Sequence, residues 1–402
     1  MRITFLAALL AAASAAAAQS LAGLWDATVT VNALEVPFRM EFADEGANVR
    51  GWFFNGEQKV GSTSGRFGDG ALVLDFDYYA SQLKATWKEG VLEGTYGREG
   101  HLYAFRAKHF EPPAAAADAP SIAGLWEIAV QSPKGEAAWR FIVRQSGPEV
   151  SAAILRVDGD TGTLDGTYRG GKFVLSHFDG ARPSVLEVTP EKDGTLSIVQ
   201  NGKNRLTAVR SAEARAKELP EPADPARHTS VKDPTEPLHF RFVDLDGRVV
   251  SDAGARFRDK VLIVAISGSW CPNCHDEAPF LVELYRKYHA QGLEIVSLSF
   301  EEAEQLQNPA RLRAFIKRYG IEFPVLVVGE PSELNARLPQ AVNLNAWPTT
   351  FFEGRDGSVR SVHAGFAAAA SGEFHRQLKD DVTALVERLL AENIPSRSPS
   401  QQ

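Results

Sequence analysis

One pattern occurs twice in this chain. Leu21-Ala22-Gly23-Leu24-Trp25-Asp26 returns about 100 residues later as Ile122-Ala123-Gly124-Leu125-Trp126-Glu127, a period far longer than that of a solenoid repeat. At the same offset Gly65-Arg66-Phe67 matches Gly166-Thr167-Tyr168, and Leu72-Val73-Leu74 matches Phe173-Val174-Leu175. An unbroken register over that distance means a duplicated domain. Within each copy, alternating or short apolar runs such as Val36 to Phe42 and Lys172 to Ser176 sit between turns such as Gly68-Asp69-Gly70 and Asp158-Gly159. Roughly seven or eight short strands per copy, with turns about every ten residues, predict two tandem antiparallel all-β barrels or sandwiches. We place them at 20–110 and 121–210. Neither copy shows a titratable cluster or metal spacing in its sequence, and Trp25 and Trp126 are expected as core plugs.

The Gly-x-Trp opening of each copy is similar to the start of lipocalin-type barrels. Glu111-Pro112-Pro113 and the alanines after it read as a linker between the copies. A longer linker, 211–237, carries five prolines, with a short helix expected over Ala212 to Leu219 and extended chain after it. At the N-terminus, Met1-Arg2, an apolar run from Ile3 to Ala13 and Ala16-Ala17-Ala18 read as a cleavable signal peptide over 1–18. That predicts an exported protein, most naturally periplasmic, in a compartment where disulfides form. A formal net charge of −8 argues against nucleic-acid partners and anionic membrane surfaces.

From Leu238 the texture changes to alternating strands and helices, an α/β domain over 238–392 followed by a disordered tail at 393–402. Val261 to Ile266 is a continuous apolar run, as in a central strand covered on both faces. Leu281, Leu284, Tyr285 and Tyr288 fall at helical spacing before Gly292, and Leu293 to Phe300 is a second buried strand. Asn308-Pro309 reads as an N-cap followed by proline at N1, opening a helix with Leu312, Phe315, Ile316 and Tyr319 inward. Phe323 to Val328 is a strand, Ser332 to Ala341 a helical insertion, and Thr349 to Phe352 forms a hairpin with Val359 to His363. A last amphipathic helix carries Phe374, Leu378, Val382, Leu385 and Leu389.

The only two cysteines of the 402 residues lie in Ser269-Trp270-Cys271-Pro272-Asn273-Cys274-His275, between the apolar strand and the first helix. Three readings compete: a redox dithiol, a Cys-x-x-Cys-His haem anchor with His275 as axial ligand, and half of a metal site. A zinc site lacks further cysteines, and His275 adjoins Cys274 rather than being spaced to chelate. A haem needs an apolar pocket, whereas this motif joins a buried strand to a helix, and His275 is expected to be exposed. At a helix N-terminus, free amides and the macrodipole favour a thiolate. The dithiol reading makes Cys271 an exposed nucleophile and Cys274, one turn on, the resolving thiol. Pro272 suits a first helical turn, where its missing N–H costs nothing.

Taken together, the apolar strand, Trp-Cys-Pro-x-Cys, Glu277, Pro279 and Trp347-Pro348-Thr349-Thr350 resemble the TlpA-like (ResA-type) thioredoxin-fold thiol–disulfide oxidoreductases over about Pro237 to Leu390. The resemblance implies catalytic roles for Cys271, Cys274, Glu277 and Pro348, the last as a cis proline facing the dithiol. It implies substrate contacts at Trp270, Pro272, Trp347 and Thr349, with Trp347 bulky enough to narrow the groove. Glu277 is expected to be partly buried and to shuttle the Cys274 proton, since the strand Val261 to Ile266 carries no acid behind the cysteines.

The function so implied is a periplasmic thiol–disulfide oxidoreductase, more a reductase than an oxidase, acting on disulfides of exported proteins, with apocytochromes of cytochrome c maturation among them. It needs no cofactor or metal beyond the Cys271–Cys274 redox pair. Its electron donor would be a membrane thiol-reductant transporter. Two other classes stand beside it: a redox-sensing binding or scaffold protein built on the β repeats, and a c-type haem protein.

Overall fold

A computed structural model describes residues 20–45, 48–112 and 118–392. The expected signal peptide at 1–18, the centre of the first linker and the tail at 393–402 lie outside the described residues.

Each copy of the repeat closes into a barrel. In the first, eight antiparallel strands run in chain order from Gly23–Val31 to His101–His109, and those two terminal strands pair with each other. The short strand Gln58–Gly61 extends one rim beyond the closed ring. The second copy repeats the order from Gly124–Ala129 to Asn204–Arg210, with the short Gly159–Asp160 in the equivalent rim position. Closure leaves no free sheet edge, and a barrel of eight strands is just narrow enough for side chains to fill. The inward positions do so: along Asn48–Asn55, Val49, Gly51, Phe53 and Asn55 are buried and their neighbours are not. The tight hairpins need backbone in the left-handed region, as at Asp69 and Gly70 with φ of 50° and 74°.

Trp25 and Trp126 are core plugs in both copies. Each donates its indole N–H to a carbonyl four residues earlier, Trp25 to Leu21 at 2.8 Å and Trp126 to Ile122 at 2.9 Å. The same bond recurs at equivalent positions of the two barrels.

The C-terminal part carries a seven-stranded mixed sheet. Its order is Val249–Ser251, Arg241–Asp244, Val325–Gly329, Leu293–Phe300, Val261–Ser267, Thr349–Glu353 and Val359–Ala364. Val261–Ser267 is central and buried throughout, parallel to Leu293–Phe300 and antiparallel to Thr349–Glu353. On one face Val261, Ile263 and Ala265 pack against the helices Pro272–Tyr288 and Glu373–Ala391. On the other, Leu262, Val264 and Ile266 meet Leu334, Leu338, Leu344 and Trp347.

Several local expectations need correction. The helix expected over Ser332 to Ala341 is a single turn, Leu334–Arg337, after a 3-10 turn at Pro331–Glu333. Pro309, not Asn308, precedes the helix Ala310–Tyr319 as its cap, because a separate short helix, Ala303–Gln307, ends at Asn308. The second linker holds a helix at Ser211–Ala216 and, within the part expected to be extended, a short one at Pro225–His228. No helix among the described residues is long and apolar enough to cross a membrane.

The three parts are in contact. At the tip of the first barrel's rim hairpin, Asn55 Oδ1 accepts the Thr163 amide of the second barrel at 2.8 Å, and Gly56 packs against the Thr163 side chain. Arg98 of the first barrel donates two bonds to Glu302, which stands at the N-cap of the short helix Ala303–Gln307 of the C-terminal domain, at 2.7 and 2.9 Å.

Candidate functional site

The chain leaves the central strand at Ser267, turns tightly with the Cys271 amide donating to the Gly268 carbonyl at 3.0 Å, and enters the helix Pro272–Tyr288. Gly268 is required there: a Cβ would lie 2.5 Å from Trp270 Nε1 and 2.7 Å from the Phe300 carbonyl, to which Trp270 donates at 2.9 Å. Cys271 caps the helix with its own sulfur, accepting the Cys274 amide at 3.2 Å. A backbone N–H aimed at Sγ stabilises negative charge on that sulfur.

Both cysteines are unpaired, and both are buried, Cys271 at 3% and Cys274 at 2% exposure. The expectation of an exposed nucleophile is therefore corrected. Burial pushes the Cys274 thiol well up, helped by its hydrogen bond with Cys271 and by the charges of Cys271 and Glu277. Cys274 thus stays protonated until a base takes its proton.

Glu277 is buried, at 5% exposure, rather than partly so. Burial raises its carboxyl to about 7, and the Thr350 hydroxyl, donating to Oε1 at 2.7 Å, partly offsets this. A carboxyl poised near neutrality, one turn beyond Cys274, is suited to proton transfer.

The Trp347–Pro348 bond is cis, and the Pro348 carbonyl accepts the Gly365 amide at 2.7 Å. Thr349 does not turn outward: its hydroxyl donates to the Ala346 carbonyl at 2.9 Å, and the residue is buried. Trp270 and Trp347 meet edge to face with centroids 5.3 Å apart, forming one aromatic wall beside the dithiol.

His275 is also corrected. It is buried, with Nε2 donating to the Ser269 carbonyl at 2.9 Å and Nδ1 accepting the Tyr319 hydroxyl at 3.0 Å. Burial pulls it down to about 3, so the ring is neutral and adds no positive field. With both nitrogens engaged, neither is free to ligate iron in this arrangement. Tyr79 of the first barrel stacks beside it, with ring centroids 4.8 Å apart.

A buried acidic residue missed in the sequence fixes the loop before Cys271. Glu301 accepts from the Ser269 amide at 2.7 Å and the Ser269 hydroxyl at 2.6 Å, and Arg311 contacts both Glu301 and Ser269. Arg311 also reaches Glu302, the partner of Arg98. The Arg98 bonds are the main cause holding Glu302 down at about 2, opposed by partial burial and reinforced by Arg311.

The second barrel touches the motif itself. Asn273, between the cysteines, donates to the Asp158 carbonyl at 2.6 Å, and Gly159 bridges to Phe366 in parallel register. Arg182 donates to Asn273 at 3.0 Å, to Asp276 at 2.9 Å and to Asp179 at 2.9 Å. Burial lifts Asp276 to about 6 against the pull of Arg182. Burial would also lift Asp179, but Arg182 and His177 outweigh it and hold that carboxyl far below the usual range. A titratable cluster thus exists on the second copy, contrary to the sequence reading; its members are scattered along the chain, and only the barrel brings them together.

Residues 232–362 match the AhpC/TSA family. The thiol-disulfide oxidoreductase ResA of Geobacillus kaustophilus is 29% identical over 119 residues, covering 30% of this chain and 63% of that protein. ResA of Bacillus anthracis is 27% identical over 124 residues, 31% of this chain and 65% of the relative. The chain thus spans just under two thirds of these relatives. Among solved structures, a putative thiol:disulfide interchange protein DsbE from Chlorobium tepidum is 23% identical, covering 39% of this chain and 99% of its own, with a TM-score of 0.30. The hypothetical protein SMc02350 from Sinorhizobium meliloti is 24% identical, covering 42% and 90%, with a TM-score of 0.33. The sequence matches make the C-terminal domain a thioredoxin-like one. They support a TlpA/ResA-like relationship for residues 232–362.

Proposed function

We propose that this chain is a thiol–disulfide oxidoreductase that reduces disulfides of exported proteins through Cys271 and Cys274. The observation that carries the reading is the buried Glu277 carboxyl, raised to about 7 and one helical turn beyond a thiol that burial keeps protonated. In the reaction the Cys271 thiolate attacks one sulfur of the partner disulfide, whose S–S bond breaks and whose leaving thiolate takes a proton. Glu277 accepts the Cys274 proton, and the Cys274 thiolate attacks the Cys271 sulfur of the mixed disulfide. The second partner thiol leaves, two electrons have passed to the partner, and the chain holds a Cys271–Cys274 disulfide. No metal or prosthetic group takes part.

The periplasm is the compartment this reading requires, with a membrane thiol-reductant transporter restoring the dithiol, and apocytochromes are candidate substrates. Pro348 would present backbone to the partner chain, with Pro272, Trp270 and Trp347 around it, while the buried Thr349 holds the segment from behind. The test is trapping: Cys274→Ala stops the second step, so mixed disulfides through Cys271 accumulate on non-reducing gels. A trapped variant with no such adducts overturns the reading.

One observation favours the binding reading of the repeats. A cleft of about 1330 Å³ lies between the two barrels, lined by residues of both, including Phe38, Arg39, Phe105, Arg144, Asp165 and Phe178. Under that reading Arg39→Glu abolishes partner capture while leaving reduction of a small disulfide unchanged.

A further inference from the structure

The dithiol is reached across the surfaces around it, and the second barrel occupies one of them. Trp270, next to Cys271 in the chain, packs against Trp347. The rim segment Val157 to Asp160 is laid on Asn273, between the cysteines, and on the turn at Gly365-Phe366, whose Gly365 amide bonds the Pro348 carbonyl. Its fit is close enough to demand glycine on both partners. A Cβ at Gly159 would lie 2.5 Å from the Phe366 carbonyl and 2.9 Å from Asn273 Nδ2; one at Gly365 would lie 2.3 Å from the Val157 carbonyl. Val157 is buried against Ala346 and Ala364, two residues flanking the cis-proline strand, so the contact is apolar at its centre. Ser371 donates to Asp160, and Arg182 ties the next barrel loop to Asn273 and Asp276.

We propose that Val157 to Asp160 is the specificity-determining wall of the substrate groove. It closes the Asn273–Phe366 side, so the dithiol admits disulfides carried on small molecules or slender extended chains that approach past Trp270 and Trp347, and rejects bulky folded partners. The inference rests on the proposed oxidoreductase function but names what that function selects. Physically it is exclusion: a backbone segment already bonded to the groove rejects any partner that must displace it.

The test is reagent size. In a Cys274→Ala background Cys271 is the only thiol, and its rate of alkylation is measured with N-ethylmaleimide and with a maleimide coupled to a folded carrier protein. Gly159→Val wedges the segment off the groove, and Arg182→Ala serves as a second variant should the first fail to fold. The expected result is that either variant speeds the bulky reagent by about tenfold or more while changing the small one by less than about twofold, as for removal of a steric barrier. Equal changes for both reagents, or none for either, overturn the wall. In the two-cysteine protein the same variants should raise reduction of insulin relative to oxidised glutathione. If the wall opens to the bulky maleimide but neither disulfide is reduced by any form, the oxidoreductase reading fails and the selection with it.

Discussion

Thr350 and Glu277 are joined by a 2.7 Å bond from hydroxyl to carboxylate that crosses from a central strand to the dithiol helix. Among the described residues it is the side-chain bond that opposes burial at that carboxyl, so it limits how far above the ordinary range Glu277 sits.

Replacing Glu277 by Gln removes the proposed base while keeping an acceptor for Thr350. Turnover of a disulfide substrate should fall by about a hundredfold, the usual scale for one positioned base. The rise in rate expected as the wild-type carboxyl ionises near pH 7 should vanish. A rate against pH series for both proteins checks this.

Thr350→Val deletes the donor that favours the charged carboxylate. The Glu277 limb of the pH profile should therefore move to higher pH, by about one unit for one lost hydrogen bond. The maximal rate at alkaline pH should be nearly retained, which separates this effect from loss of the base.

Two arginines meet at Glu302, in different surroundings. Arg311 is 2% exposed and bonded to buried Glu301, so Arg311→Ala strands a charge and should cost about 3–5 kcal/mol by urea unfolding. Arg98 pairs with a carboxylate 38% exposed, and Arg98→Ala should cost less than about 1 kcal/mol after solvent screening.

Glu353, buried with its carboxyl accepting the Leu238 amide at 2.8 Å, is raised to about 8, chiefly by burial. Because the folded value exceeds the unfolded one, its contribution is full below about pH 4.5 and is lost as pH rises through about 8. Glu353→Gln mimics the protonated group. Its stability advantage over wild type should grow across that window, by on the order of 3 kcal/mol at the alkaline end, in denaturant melts at several pH values.

Much of this was legible in the chain. Period-two alternation and turn residues gave two all-β units, because a half-buried strand leaves that mark on every second residue; only the pairing of first and last strands makes them barrels rather than sandwiches. The order of strand, Cys-x-x-Cys and helix was legible too, because it is local in the chain: Cys271 does stand at the N-terminus of the helix Pro272–Tyr288. What escaped was long-range. Glu301 reads as a loop acid until Ser269 and Arg311 close around it. His275 looks solvent-facing until Tyr79 and Tyr319 cover it. Asp158, Asp179 and Arg182 lie roughly 90 to 120 positions before the cysteines, beyond any local pattern, and no periodicity reports which rim of a barrel will face a neighbour.

The rim hairpins repay comparison. Asn55-Gly56 in the first copy and Arg156-Val157 in the second stand at equivalent places of the duplicated unit, and each grips whatever follows it in the chain. The first holds the second barrel at Thr163; the second holds the thioredoxin-like domain at its groove. Duplication thus supplied a coupler with one end already matched, in the head-to-tail manner of a heterologous interface that does not close on itself. The first barrel also reaches the C-terminal domain directly, through Arg98 and Tyr79, so removing either barrel would uncover part of the surface around the cysteine motif.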